Sequence, residues 1–124
     1  MDKTVAIIED SEIIADLVSK FVTDKFSVPV KVYHTAEDYL ASGNNTGLIL
    51  LDYYLDKKDK QAMNGLEFMR AMDSRDGTSP VIMISGLTDE GIINELKGHK
   101  IVSFIDKDAP EFWTRLEREI RKIF

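Results

Sequence analysis

The sequence predicts an α/β fold, an open sheet of five parallel strands covered on both faces by five helices. Two observations predict it. Four short apolar runs, Thr4–Ile8, Gly47–Leu51, Pro80–Ile84 and Val102–Ile105, each run straight into a polar residue. Stretches with apolar residues at helical spacing separate them, and a partly alternating run from Val28 to Tyr33 supplies the remaining strand. Short apolar runs without alternation are the mark of strands buried on both faces, and strands separated by helices pair in parallel.

The elements can be justified in chain order. Ser11 to Phe26 carries Ile13, Ile14, Leu17, Val18, Phe21 and Val22, which predicts an amphipathic helix. Thr35-Ala36-Glu37-Asp38 opens the next with a capping hydroxyl and an acid at the third position; it runs to Ser42, where Gly43-Asn44-Asn45 stops it. Gly65 to Met72, with Leu66, Phe68, Met69 and Met72, is the third helix, and Asp76-Gly77-Thr78-Ser79 reads as the turn behind it. Thr88 to Lys97 predicts a weak helix, interrupted by Gly91 and ended near Gly98. The last helix is expected to start at Asp108-Ala109-Pro110-Glu111, with Asp108 as N-cap and Glu111 as its reciprocal partner. Phe112, Leu116, Ile120 and Ile123 form its buried stripe.

In an open sheet of this kind the site lies outside the carboxyl ends of the strands. Those ends carry Glu9-Asp10, Asp52, Ser85-Gly86 and Asp106-Lys107. Each alone has an ordinary explanation: an acid after a strand caps a helix, a lone lysine is a solvated charge, a serine makes a turn. Gathered at one edge they mean something else. Carboxylates do not crowd together unpaired, so the arrangement implies a cation.

Composition narrows the function further. A single domain accounts for 124 residues, and the net charge of −6 argues against direct nucleic-acid binding. The chain has no cysteine, which excludes disulfides and thiolate metal sites and fits a cytoplasmic location. No apolar stretch is long enough to span a membrane, and the chain enters its first strand without a signal-peptide pattern. His34 and His99 lack ligand partners at useful spacing, the Met and Phe residues on helical faces are core, and Asp56-Lys57-Lys58-Asp59-Lys60 is a solvated loop.

In these residues the chain resembles the receiver (response-regulator) domains of two-component signalling, over about Thr4 to Ile123. Glu9-Asp10, Asp52, Asn64-Gly65-Leu66-Glu67, Ser85-Gly86 and Lys107 match in order, each at its expected strand or helix end. The resemblance implies a flavodoxin-like doubly wound sheet of order 2-1-3-4-5. It implies that Asp52 accepts a phosphoryl group from a phosphohistidine, with Mg2+ held by Asp10, Asp52 and the Tyr54 backbone carbonyl, and by Glu9 through water. Lys107 would neutralise the arriving phosphoryl oxygens, Ser85 would move to bond them, and Phe104 would be the aromatic that swings between inward and outward rotamers. Phe104 lacks the hydroxyl that an outward tyrosine would use. Such a protein is a phosphoacceptor that assists its own phosphorylation and dephosphorylation, and not a conventional enzyme.

The implied partners are a histidine kinase or phosphotransfer protein and a downstream protein target. A phosphorylation-dependent homodimer is a further expectation, with contacts on the face of the fourth helix, fifth strand and fifth helix. A phosphate-independent pseudo-receiver is the alternative, disfavoured because every reacting group is present. A haloacid-dehalogenase-type phosphatase needs a second acid where Tyr54 stands, and a flavodoxin phosphate loop would not carry Glu9-Asp10-Ser11-Glu12. A stand-alone receiver and an excised part of a larger regulator or hybrid kinase both fit the chain.

Three departures from the family pattern stand out. Leu55 to Met63 carries an insertion, expected to be mobile, dispensable for folding and able to tune the chemistry. Asp56 replaces a common proline. Asp108 replaces the proline that usually follows the lysine; a cis bond before a non-proline costs about 3 kcal/mol, so trans is expected.

Overall fold

The computed structural model describes residues 3–43, 45–75 and 79–124. Strands and helices alternate: β1 (Val5–Ile8), α1 (Glu12–Phe26), β2 (Val30–Tyr33), α2 (Ala36–Ser42), β3 (Leu48–Leu51), α3 (Gly65–Asp73), β4 (Val81–Ile84), α4 (Glu90–Leu96), β5 (Ile101–Ile105) and α5 (Phe112–Ile123). All strand pairs are parallel, and the order is β2-β1-β3-β4-β5. This is the doubly wound sheet that the sequence predicts.

Each face of the sheet has its own core. Ala6, Ile8, Ile49, Leu51, Val81 and Met83 pack with Tyr39, Phe68, Met69, Met72 and Leu96 of α2, α3 and α4. The alternate residues Val5, Ile7, Leu48, Leu50, Ile82 and Ile84 pack with Ala15, Val18 and Val22 of α1 and with Phe112, Leu116 and Ile120 of α5. Side chains alternate across a strand, so a run that is apolar throughout needs helices on both sides. The central strands β1, β3 and β4 are fully buried, whereas the edge strands β2 and β5 are only partly covered. A register shift at Val81/Ile82 bulges β5 and leaves Val102 57% exposed.

Caps set the helix starts. Ser11, Thr35, Asn64 and Asp89 each accept a backbone N–H three residues on. Asn64 and Glu67 complete a reciprocal capping box. Gly43 ends α2 at φ +68°, a left-handed cap that a glycine adopts without strain.

Several expectations need correction. The final helix starts at Phe112 and not at Asp108; Glu111 stands at its N-cap without a side-chain bond. The Asp106 carboxylate takes the Asp108 N–H at 2.9 Å and the Asp106 carbonyl takes that of Ala109 at 3.1 Å, so a tight turn occupies the segment. The Lys107–Asp108 peptide is trans, as expected. Helix α1 buries Ala15, Val18 and Val22 but leaves Ile13 75% and Leu17 55% exposed, so its apolar stripe is wider than the face it packs. Helix α4 is shorter than Thr88–Lys97, and β2 starts not at Val28 but at Val30, which lies beside Val5 at the start of β1. Asp76, Gly77 and Thr78 of the expected turn, and Asn44, lie outside the described residues.

Candidate functional site

Register assembles the site. Ile8 of β1 lies beside Leu51 of β3, so the next residues, Glu9 and Asp52, leave the sheet together. The ladder extends one step beyond the strands: Glu9 N–H donates to the Tyr33 carbonyl, Asp52 N–H to that of Ile8 and Ser85 N–H to that of Ile105. These bonds fix the backbones that carry the acids and the serine at one edge.

Glu9 and Asp52 are each 1% exposed, and Asp10 beside them is half-buried. One carboxylate oxygen from each of Glu9, Asp10 and Asp52 lies within 4.8 Å of the others. Lys107 reaches in from the β5–α5 turn, with its ammonium 3.2 Å from Glu9 Oε1 and 3.4 Å from Asp52 Oδ1. The Ser11 N–H donates to the other Glu9 oxygen at 3.2 Å. Among the described residues neither Asp52 oxygen has a hydrogen-bonded partner, and the buried Ser85 Oγ likewise has none. Orphaned buried polar atoms are costly and call for a ligand. An all-oxygen set of three carboxylates, two of them buried, has the chemistry of a hard-cation site.

The charges perturb one another. Burial first and the Asp52 charge second push the Glu9 carboxyl up to about 7, against the opposing pull of Lys107. For Lys107 burial alone would lower the pKa, but Asp52 and Glu9 outweigh it and hold it above the ordinary lysine value. One cation between two buried carboxylates leaves the site short of positive charge.

The remaining predicted residues sit around this centre. Tyr54, half-buried in the turn after Asp52, stacks edge-on with Tyr53 at 5.0 Å between centroids. The Tyr53 carbonyl accepts the N–H groups of Leu55 and Gly65, which ties the turn to the start of α3. Gly65 is needed there: a Cβ would lie 3.0 Å from Tyr53 Cα. Phe104 lies beside Met83 and packs half-buried against the α2–α3–α4 core. With Ser85, Leu87, Ile93 and Arg115 it lines a cleft of about 310 Å³. Arg115 Nη2 donates to the Phe104 carbonyl at 3.3 Å.

Sequence reasoning missed three groups. Lys58 Nζ donates to the Asp10 carbonyl at 2.9 Å, so the charged loop is tied to the site. His34 Nδ1 donates to the Glu9 carbonyl at 3.0 Å and holds the chain just where it carries the acids. His99 Nδ1 lies 2.7 Å from Asp73 Oδ2 and joins the end of α3 to the turn after α4. Partners 48, 25 and 26 residues apart leave no trace in local spacing.

Comparison with known proteins gives one result in two forms. A family described as the response regulator receiver domain matches residues 5–116. No curated protein matches the chain. Among solved structures it is similar to a CheY-like receiver domain protein from Methanospirillum hungatei JF-1, at 20% identity and TM-score 0.78, over 99% of this chain and 97% of that one. The BeF3-activated DrrB receiver domain aligns at 20% identity and TM-score 0.81, again over 99% and 97%; DrrB is a Thermotoga maritima protein. A response regulator of Chloroflexus aurantiacus J-10-fl aligns at 15% identity and TM-score 0.79, over 99% and 98%. At such identities the structures speak for the fold, while the sequence match spans nearly all of it, from the first residue of β1 into α5. The chain belongs to the response regulator receiver domain family.

Proposed function

We propose that the chain is one receiver domain acting as a phosphoacceptor switch, in which Asp52 takes a phosphoryl group from a phosphohistidine of a histidine kinase or phosphotransfer protein. The observation that carries this reading is the Asp52 carboxylate, buried, without a hydrogen-bonded partner among the described residues, and paired in charge with the Lys107 ammonium at 3.4 Å. A carboxylate held by several donors has its lone pairs occupied; this one keeps them free to attack. An Asp52 oxygen bonds to phosphorus as the P–N bond breaks. The bonding pair leaves with the imidazole nitrogen, and an acyl phosphate remains on Asp52.

The surrounding groups suit phosphoryl transfer, which depends on positioning and charge neutralisation. Lys107 already spans Glu9 and Asp52, so it meets the new negative charge without travelling. Ser85 Oγ, having no partner among the described residues, is free to donate to a phosphoryl oxygen. Asp10 and Asp52 would hold Mg2+ directly with the Tyr54 carbonyl, and Glu9 would do so through water. When bound, the ion supplies the positive charge that the site lacks. Phosphorylation of Asp52→Asn by acetyl phosphate or a phosphorylated kinase tests the reading: the variant should fold as the parent does and take up no label. Retained labelling would refute it.

The output arises from the same geometry. Capture of the phosphoryl group draws Ser85 and Lys107 together, at the ends of β4 and β5. The cleft beside Phe104, between α4 and α5, lies directly behind Ser85. Helix α4 has a single fully buried residue, Leu96, and low-stability elements are the ones a few kcal/mol can move. Binding of a downstream protein, or homodimerisation, on the α4–β5–α5 face is therefore expected to strengthen on phosphorylation.

A further inference from the structure

The inserted segment 55–63 is tied down at both ends. Leu55 is buried in the core that α2, α3 and α4 share with the sheet, and Ala62 is nearly buried. Asp59 closes an internal turn by accepting the Gln61 N–H on its carboxylate and the Ala62 N–H on its carbonyl. The Met63 N–H donates to Glu37 Oε2 at 2.8 Å, which fastens the far end to α2. Between these anchors Lys58 reaches across to the carbonyl of Asp10. A cavity of about 220 Å³, lined by Asp10, His34, Leu55 and Lys58, lies under the strap.

We propose that Lys58 is a positioning residue for Asp10: by holding the Asp10 carbonyl it fixes the turn between β1 and α1 and aims the Asp10 carboxylate at the cation site. The inference rests on the reading of Glu9, Asp10 and Asp52 as that site. The other restraints on the turn act on either side of that carbonyl: the Tyr33 carbonyl and the His34 ring hold the Glu9 backbone, the Ser11 N–H bonds the Glu9 carboxylate and the Ile14 N–H the Ser11 hydroxyl, and none of these bonds reaches the Asp10 carbonyl. Lys58 is exposed, so its contribution is positional and adds little to global stability.

Two effects of removing Lys58 oppose each other. Loss of its charge favours a bound cation, and loss of the tether disfavours one. Salt separates them, since at about 0.5 M the Debye length falls to roughly 4 Å and a charge at the rim is screened while a misplaced ligand is not.

The test uses the whole chain with Lys58→Met, which keeps the aliphatic stem, and Lys58→Arg, which keeps a donor. Hydrogen exchange without metal and Mg2+ titration calorimetry at about 0.5 M salt are the readouts. Lys58→Met should exchange faster at residues 10–12 with unchanged thermal midpoint, and bind Mg2+ about three- to tenfold more weakly, the worth of one hydrogen bond. Lys58→Arg should recover most of both. Unchanged exchange at 10–12 in Lys58→Met, or faster exchange with unchanged Mg2+ affinity, would overturn the proposal. If the parent itself binds no Mg2+, the reading of the acidic cluster fails, whereas the metal-free exchange result still shows whether the tether exists.

Discussion

Glu9 makes the metal-free protein sensitive to pH in a way that can be worked out in advance. Its carboxyl is pushed from 4.5 to about 7, first by burial and then by Asp52. A folded-state pKa above the unfolded one means that the folded chain holds the proton more tightly. The resulting stabilisation is complete below pH 4.5 and is lost as pH rises to about 7. Integrating the two titrations gives a loss of roughly 1 kcal/mol by pH 5 and roughly 3 kcal/mol by pH 8, a difference of roughly 2–3 kcal/mol. Glu9→Gln removes the titrating group. Any cost of pairing an amide with Lys107 is constant over this range, because Lys107 stays charged. Urea unfolding of both proteins in EDTA at pH 5 and pH 8 isolates the term. The stability of Glu9→Gln minus that of the parent should rise by roughly 2–3 kcal/mol from pH 5 to pH 8. An equal difference at both pH values would show that Glu9 is not strained by its burial beside Asp52.

Three further outcomes rest on local structure. Gly65→Ala would place a methyl 3.0 Å from Tyr53 Cα and 3.1 Å from its ring, so it should destabilise by roughly 1–3 kcal/mol in denaturant melts. Asn64→Ala removes the side-chain acceptor of the α3 capping box and should cost about 1 kcal/mol in the same melts, leaving labelling of Asp52 intact. Hydrogen exchange with beryllofluoride should report protection changes from residues 88 to 118, over α4, β5 and the start of α5. Changes confined to the turn after Asp52 would leave the protein a phosphate sink without a switch.

The strand cores and the site were legible in the sequence for the same reason. Apolar runs such as Leu48–Leu51 read as strands buried on both faces, and a doubly wound sheet must gather the residues just beyond them at one edge. Asp52, Glu9 and Lys107 were therefore placed without any long-range information. The start of α5 was not, because Asp108 is as good a cap on paper as Asp106 is a turn former in the fold. Ile13 and Leu17 sit on the apolar stripe of α1, yet α1 buries only the narrow part of it that meets the sheet. Lys58 was invisible, since one lysine in a charged run looks like any other until a turn 48 residues earlier comes beside it.

The pairing of β1 with β3 carries one more implication. Val-Ala-Ile-Ile lies against Leu-Ile-Leu-Leu with every side chain buried, and neither segment alternates. Alternation normally prevents strands from sliding past each other, because a slip by one residue turns a polar face inward. Here a slip would exchange one apolar residue for another and meet little resistance along the strands. Resistance comes from their tips. Sliding β1 back by one residue would drag the Glu9 carboxylate into the apolar ladder, and sliding β3 would do the same with Asp52. The acids that make the site thus also mark where the central strands must stop, so neutral replacements at both tips should loosen strand alignment as well as remove charge.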